Sequence, residues 1–454
     1  MLMGVILGIL LFFSPGTSFL LFSGLISCFF IRLLPENSER KLLMNIFLAA
    51  LISRILAVLL VMFFAIVKGK IVDVGMYGFP GTAPYIFYDS GYYTLRAFWM
   101  SSLWTGVNLG ETAKLIASEC GKFSYGFNGF LNVLAIFFSF LGYSPISSIF
   151  INCFLGTISA ILVYFSAKEI FGFRVARLSA IFMVVFPSLF LWSITNLKDT
   201  CYIFLVCLML WSFTRFVKSK NLFYIVLLFL SVWLQSYFHK QLLNITMLIL
   251  LFSLFYLFIT SVSYGTRTII ILTTILTVFL LVILNYGSIG LLIKKNLQDI
   301  YISHKGFITT GGACYKLLPG GFYDSHDTIT GNEFIKMLGK GWLHLMFEPF
   351  PWRLESKSLL FAFFQMIFVY MLTPFAILGM FITVKSKLRE SILFVVFFII
   401  VGSILAVTEG NIGTTFRHRD MLTPIFLIFS SIGIVRACNA QTGSNKQTRL
   451  PDNL

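Results

Sequence analysis

The sequence predicts an all-α, polytopic membrane protein with about eleven to twelve transmembrane helices. Three observations carry that expectation. Hydrophobic residues fill 58% of the 454 positions and charged residues 11%, with 53 Phe, so a water-soluble fold would keep surface it could not solvate. The apolar residues come in continuous runs of about 17 to 25 rather than in alternation, the length of a helix crossing the hydrocarbon core. Within lipid each backbone group must be satisfied inside its own segment, which leaves helices or a closed barrel, and unbroken runs select helices.

From the N-terminus, Leu2 to Phe13 and Thr17 to Leu33 are short apolar runs parted by Ser14-Pro15-Gly16, a broken hairpin or one kinked span. Leu42 to Val67 is a full span. A long polar loop, about 68–143, carries two amphipathic segments, Gly91 to Trp104 and Gly129 to Gly142, expected to lie at the membrane interface. Six spans follow: Pro145 to Ala167, Val175 to Ile194, Thr200 to Phe216, Leu222 to Tyr237, Leu242 to Ser261 and Thr268 to Leu284. A second long loop, about 293–357, precedes Ser358 to Val384, Ile392 to Val407 and Met421 to Val435. Residues 1–435 therefore read as one membrane domain and 436–454 as a polar, disordered tail. The first apolar run lacks a basic leader, so no cleavable signal peptide is expected.

The net charge of +16 is explained by topology. Arg32, Arg40, Lys41, Lys168, Arg174, Arg177, Arg215, Lys218, Lys220, Arg267, Lys385, Lys387, Arg389, Arg436, Lys446 and Arg449 are all expected on one side, the cytoplasmic one, with both termini. No block of five like charges suggests a nucleic-acid partner. The seven Cys lack metal-ligand spacing; only Cys120 and Cys314 lie in the long loops, where an oxidising compartment would let them pair.

Function is expected where polar groups meet the boundary on the opposite, outer side. Asp89 opens the first amphipathic segment and suits either a helix cap or a general base taking a proton from an acceptor. Lys198-Asp199 and His239-Lys240 occupy tight turns, as plain turn residues or as groups at head-group level suited to a phosphate. Glu348 and Arg353 flank the rigid, aromatic Pro349-Phe350-Pro351-Trp352 segment, which also fits an aromatic belt. Arg417-His418-Arg419 sets three basic groups against the charge bias, so an anionic phosphate or pyrophosphate is their natural counterpart. Arg54 stands alone in mid-span. Walker A, GxGxxG-plus-helix, HExxH and nucleophile-elbow sequences are absent, as are internal repeats and the paired intramembrane acids of proton-coupled transporters.

The order Tyr88-Asp89-Ser90-Gly91-Tyr92, Asn152-Cys153-Phe154-Leu155-Gly156-Thr157, Tyr164, Phe171-Gly172, Phe186-Pro187-Ser188-Leu189, Trp192-Ser193 and Leu197-Lys198-Asp199 resembles the GT-C glycosyltransferases. The likeness is to the bacterial group similar to protein O-mannosyltransferases and lipid A aminoarabinose transferase. Phe347-Glu348-Pro349-Phe350-Pro351-Trp352 and Gly410-Asn411-Ile412-Gly413-Thr414 resemble members found with surface-polysaccharide genes. The resemblance runs from about Leu42 to Val435. It implies a GT-C-like fold in a bacterial inner membrane and a hexosyltransferase activity. The enzyme would move a sugar from a polyprenyl-phosphate or polyprenyl-pyrophosphate carrier to a glycan, lipid or protein acceptor at the outer face. Asp89 stands where the family has its catalytic base. Lys198, Asp199, Arg417 and Arg419 match positions near the carrier phosphate. Many members have two adjacent acids at the base, where this chain has Asp89-Ser90; a divalent cation is the one cofactor in question. The alternatives are an O-antigen-type polymerase or ligase, and a lipid-linked sugar flippase or transporter.

Overall fold

A computed structural model of the chain describes residues 15–67, 88–106, 129–142, 145–239, 242–284, 286–310, 313–319, 323, 328–354 and 357–441. Among them the secondary structure is helical, apart from one isolated bridge between Cys314 and Asn411. The protein is thus an all-α polytopic membrane protein. The first apolar run, most of the first loop, Cys120, Lys240 and the last thirteen positions lie outside the described residues.

The chain divides into two units. Unit one comprises residues 1–166, 177–212 and 221–241. It holds α1 (Pro15–Arg32), α2 (Asn37–Val67), α3 (Tyr88–Thr105), α4 (Gly129–Leu141), most of α5 (Pro145–Phe171), the larger part of α6 (Phe173–Val185), α7 (Pro187–Ser193), the first two thirds of α8 (Asp199–Ser219) and α9 (Leu222–Gln235). The run expected as one span from Val175 to Ile194 is broken into α6 and α7 with a bend of 58°. Pro187 has no N–H to continue the helix and forces Phe186 into an extended conformation (φ −66°, ψ 119°). Helices α3 and α4 pack together through the edge-on pair Tyr93–Phe130 and the bonded hydroxyls of Ser101 and Ser139.

Unit two comprises residues 167–176, 213–220 and 242–454. Besides the Glu169–Arg215 ion pair at 2.7 Å, it holds α10 (Leu243–Ser261), α11 (Tyr264–Leu284), α12 (Tyr286–Thr310), α13 (Gly331–Phe347), α14 (Lys357–Ser386), α15 (Leu388–Thr408), α16 (Ile412–His418), a 3-10 turn (Arg419–Met421) and α17 (Thr423–Gln441). The second long loop of the sequence reading is largely filled by α12 and α13. The sequence Thr330-Gly331-Asn332-Glu333 starts α13 with a reciprocal capping box, and Met337, Gly341, His344 and Leu345 form its buried stripe. Apolar α15 is the central helix, packed by α10, α12 and α13. Helices α14 and α17 meet backbone to backbone: a Cβ on Gly379 would strike the Phe429 carbonyl, and one on Gly433 the Phe375 carbonyl.

Among the described residues seven helices are long and apolar enough to cross a membrane, eight if the bent α6–α7 pair is one span. The expected eleven to twelve also counted the runs seen as Leu20–Arg32 and Leu222–Gln235, which are apolar but shorter; Gly129–Phe140, expected at the interface, is a third short apolar helix.

Candidate functional site

In unit one the candidate residues gather around the irregular turn between α7 and α8. A buried turn has backbone groups that no helix satisfies, and these must find side chains. Asn152, reaching from α5, supplies them: its Nδ2 donates to the carbonyls of Thr195 (2.7 Å) and Leu197 (3.0 Å), and its Oδ1 accepts from Cys201 Sγ (3.5 Å). Asn196 then donates from Nδ2 to Thr94 Oγ1 of α3 at 2.6 Å, and both side chains are buried. Lys198 donates from Nζ to the Phe238 carbonyl at 3.1 Å, and Asp199, only 4% exposed, opens α8, where an acid suits the helix N-terminus. Neither is an exposed turn residue.

Two more segments close on this turn. His239 sets its ring edge-on to Tyr202, centroids 4.9 Å apart. The Gly129 N–H donates to the Tyr237 carbonyl at 2.6 Å, and a Cβ on Gly129 would collide with Tyr237. Lys198 and His239, far apart in sequence, are therefore brought together by the Lys198–Phe238 bond and the Tyr202 ring. Asp89 lies in the first turn of α3, five residues before Thr94, a rise of about 7.5 Å. Its helix is thus tied to the Lys198 turn, while its side chain lies outside the described residues.

Arg54 finds its partners inside unit one. Its Nε donates to Ser193 Oγ (2.8 Å), its NH1 to the Ala50 carbonyl (3.1 Å), and its guanidinium lies 5.3 Å from the Phe190 ring centre. A Cβ on Gly156 would stand 2.7 Å from Ser193 Cβ and 3.3 Å from Arg54 Nε, so glycine leaves room for this brace on α7.

Unit two assembles a second constellation. Glu348, at the end of α13, is fully buried. Its Oε1 accepts from His344 Nδ1 (2.9 Å) and Arg353 NH1 (3.0 Å), and its Oε2 from the Phe350 N–H (3.1 Å). The His344 ring lies flat on Tyr315, 4.2 Å away and 3° from parallel. Tyr315 shares a hydrogen bond with Thr415 Oγ1 at 3.0 Å, and burial raises its pKa above the usual phenol value.

Arg419 sits at the C-terminus of α13. Its NH1 donates to the carbonyls of Leu345 (3.3 Å), Met346 (3.1 Å) and Glu348 (2.9 Å), the place where a helix dipole attracts a cation. Its Nε and NH2 have no hydrogen-bond acceptor among the described residues. Burial pulls its pKa down, against the opposing pull of Asp420. Arg417 is half-buried in the last turn of α16.

Glu409, between α15 and α16, is a second hub. Its Oε1 accepts from His418 Nδ1 (2.6 Å), its Oε2 from Thr414 Oγ1 (2.8 Å), and its backbone carbonyl from His304 Nδ1 (2.6 Å). A carbonyl only accepts, so His304 carries its proton on Nδ1, leaving Nε2 to accept the Leu317 N–H at 3.4 Å. Desolvation lowers the pKa of this fully buried ring to about 4. Among the described residues no group of three or more His, Cys, Asp or Glu could hold a metal ion. His344 and His418 each turn Nδ1 toward a carboxylate, a donor set already spent on hydrogen bonds.

The structure thus joins Lys198, Asp199 and His239 in unit one, and Glu348, Arg353, His418 and Arg419 in unit two. The sequence reading missed Thr94, Asn196, His304, Tyr315, His344 and Glu409 as site residues. Only His344 left a local signal, four residues before Glu348 at the tail of an amphipathic helix.

Residues 130–286, about a third of the chain, match the family model described as dolichyl-phosphate-mannose-protein mannosyltransferase. No curated protein matches the chain. The matched stretch runs from α4 to the start of α12 and includes Asn152, Asn196, Lys198, Asp199 and His239. Over that stretch the chain is similar to a family of membrane glycosyltransferases that use a lipid-linked sugar donor.

Proposed function

We propose that the protein moves a hexose from a polyprenyl-phosphate or polyprenyl-pyrophosphate carrier to an acceptor at the outer face of a bacterial inner membrane, in cell-surface glycan synthesis. The observation that carries this reading is the Thr94–Asn196 bond, which ties the helix bearing Asp89 to the turn bearing Lys198 and Asp199. An inverting transfer asks two things of a protein: a base for the acceptor hydroxyl and positive charge for the departing phosphate. In this mechanism Asp89 takes the acceptor proton as its oxygen attacks the anomeric carbon, and the carbon–oxygen bond to the phosphate breaks. Lys198 and Lys240 neutralise the charge gathering on the leaving phosphate, and His239 lines the same turn. No nucleotide loop is needed, because the donor arrives already activated.

In unit two the Nε–NH2 edge of Arg419 has the planar geometry that grips a phosphate, with Arg417 and His418 in the adjoining turn. Glu348 and Arg353 complete the substrate-binding set of that unit. We assign the side bearing Arg215, Lys218, Lys220, Lys385, Lys387 and Arg389 to the cytoplasm, with both termini. The test is transfer from a panel of radiolabelled polyprenyl-phosphate and polyprenyl-pyrophosphate sugars by the purified protein in sealed proteoliposomes. Label passing only to acceptors on one side supports the reading. Carriage of an intact lipid-linked sugar across the bilayer without bond cleavage would replace it with a flippase.

A further inference from the structure

We propose that Trp352 and Arg353 form a stacking platform for a sugar ring of the acceptor, so that the acceptor is a glycan. This rests on the glycosyltransferase reading above and names the substrate class that it leaves open. The Trp352 indole is stacked on Phe350, centroids 4.9 Å apart and 4° from parallel, and the residue is 75% exposed. One indole face is therefore covered and the rest open. Beside it the Arg353 side chain is 38% exposed. Its NH1 is held by Glu348, while Nε, NH2 and the indole N–H make no hydrogen bond among the described residues. An exposed aromatic face followed in sequence by a part-exposed guanidinium suits a pyranose, whose axial C–H groups stack on a ring while its equatorial hydroxyls accept hydrogen bonds.

An aromatic residue that only marks the lipid interface gains its energy by partitioning and needs no fixed orientation. The Phe347–Arg353 segment is instead held at several points. Tyr370 OH donates to the Phe347 carbonyl (3.0 Å), Arg419 NH1 to that of Glu348 (2.9 Å), and the Arg353 N–H to that of Phe350 (2.9 Å). The buried Glu348 carboxylate binds the Phe350 N–H and the Arg353 guanidinium from beneath. Fixing an exposed ring before its ligand arrives lowers the ordering cost of binding.

The experiment uses full-length protein in nanodiscs and, as probe, oligosaccharides released by mild acid from the surface glycan of cells that carry it. Saturation-transfer NMR reads binding directly, so it reports on the platform even if no transfer is seen. Wild-type protein should bind, Trp352→Phe should keep most of the affinity, and Trp352→Ala should weaken it about tenfold at unchanged melting temperature. Arg353→Gln should weaken binding severalfold. Equal binding by wild type and Trp352→Ala, or no binding at all, overturns the platform. So does strong quenching of the Trp352 signal (wild type minus Trp352→Phe) by brominated lipid, which would make the residue a membrane anchor.

Discussion

Acidification should destabilise the second unit through His304, whose ring is buried and bonded only as a neutral group. Its ordinary pKa of 6.5 falls to about 4 in the folded protein, because desolvation outweighs the attraction of Glu409, while His344 and Lys340 push in the same direction as burial. The unfolded chain therefore binds a proton that the folded one refuses. Stability from this group is complete above the unfolded value, is lost as the pH falls from about 6.5 toward about 4, and changes no further below that. Protonation linkage gives a loss of about 2 kcal/mol at pH 5 and about 3 kcal/mol at pH 4. For a unit of this size the pH 5 loss is worth roughly 4–8 °C of melting temperature. The assay is thermal unfolding in detergent between pH 7.5 and pH 4, beside His304→Asn, whose Nδ2 can still donate to the Glu409 carbonyl. The wild type should lose this increment relative to the variant. Parallel curves for the two proteins would refute the buried, neutral imidazole.

Two other consequences concern packing and the Glu348 hub. Glu348→Ala should cost about 3–5 kcal/mol in thermal unfolding, because the His344, Phe350 and Arg353 donors lose their acceptor in a buried place. Glu348→Gln keeps one acceptor oxygen and should cost less; equal melting of Glu348→Ala and wild type would remove the hub from the account. Gly379→Ala should cost roughly 1–3 kcal/mol or more by forcing α14 off the α17 backbone. Gly265→Ala, where a Cβ meets nothing within 4 Å, should gain up to about 1 kcal/mol, and a harmless Gly379→Ala would contradict the close crossing.

Helix type and most helix limits were legible in the sequence because lipid imposes a single solution on long apolar runs. The Pro187 break was written there too, yet the continuous hydrophobicity from Val175 to Ile194 outweighed it in a reading by run length. The site was legible only in part. Lys198, His239, Glu348, Arg353 and Arg419 stood out as charges set against apolar surroundings. Their partners did not: Thr94 and Asn196 are 102 residues apart, and His304 and Glu409 are 105 apart. Such pairs share no local period, and neutral Asn and Thr look the same in a span whether they brace a turn or bond to their own helix. Arg54 shows the converse, being conspicuous in sequence yet serving as an internal brace on Ser193.

The central claim is that one carboxylate on α3 is the base for sugar transfer, and Asp89→Asn tests it most directly. The measurement is sugar transfer from radiolabelled polyprenyl-linked donors by purified wild type and Asp89→Asn, with donor-lipid binding followed in the same preparations. The account predicts transfer by the wild type, and loss of transfer in Asp89→Asn with donor binding retained. Full transfer by Asp89→Asn would contradict it.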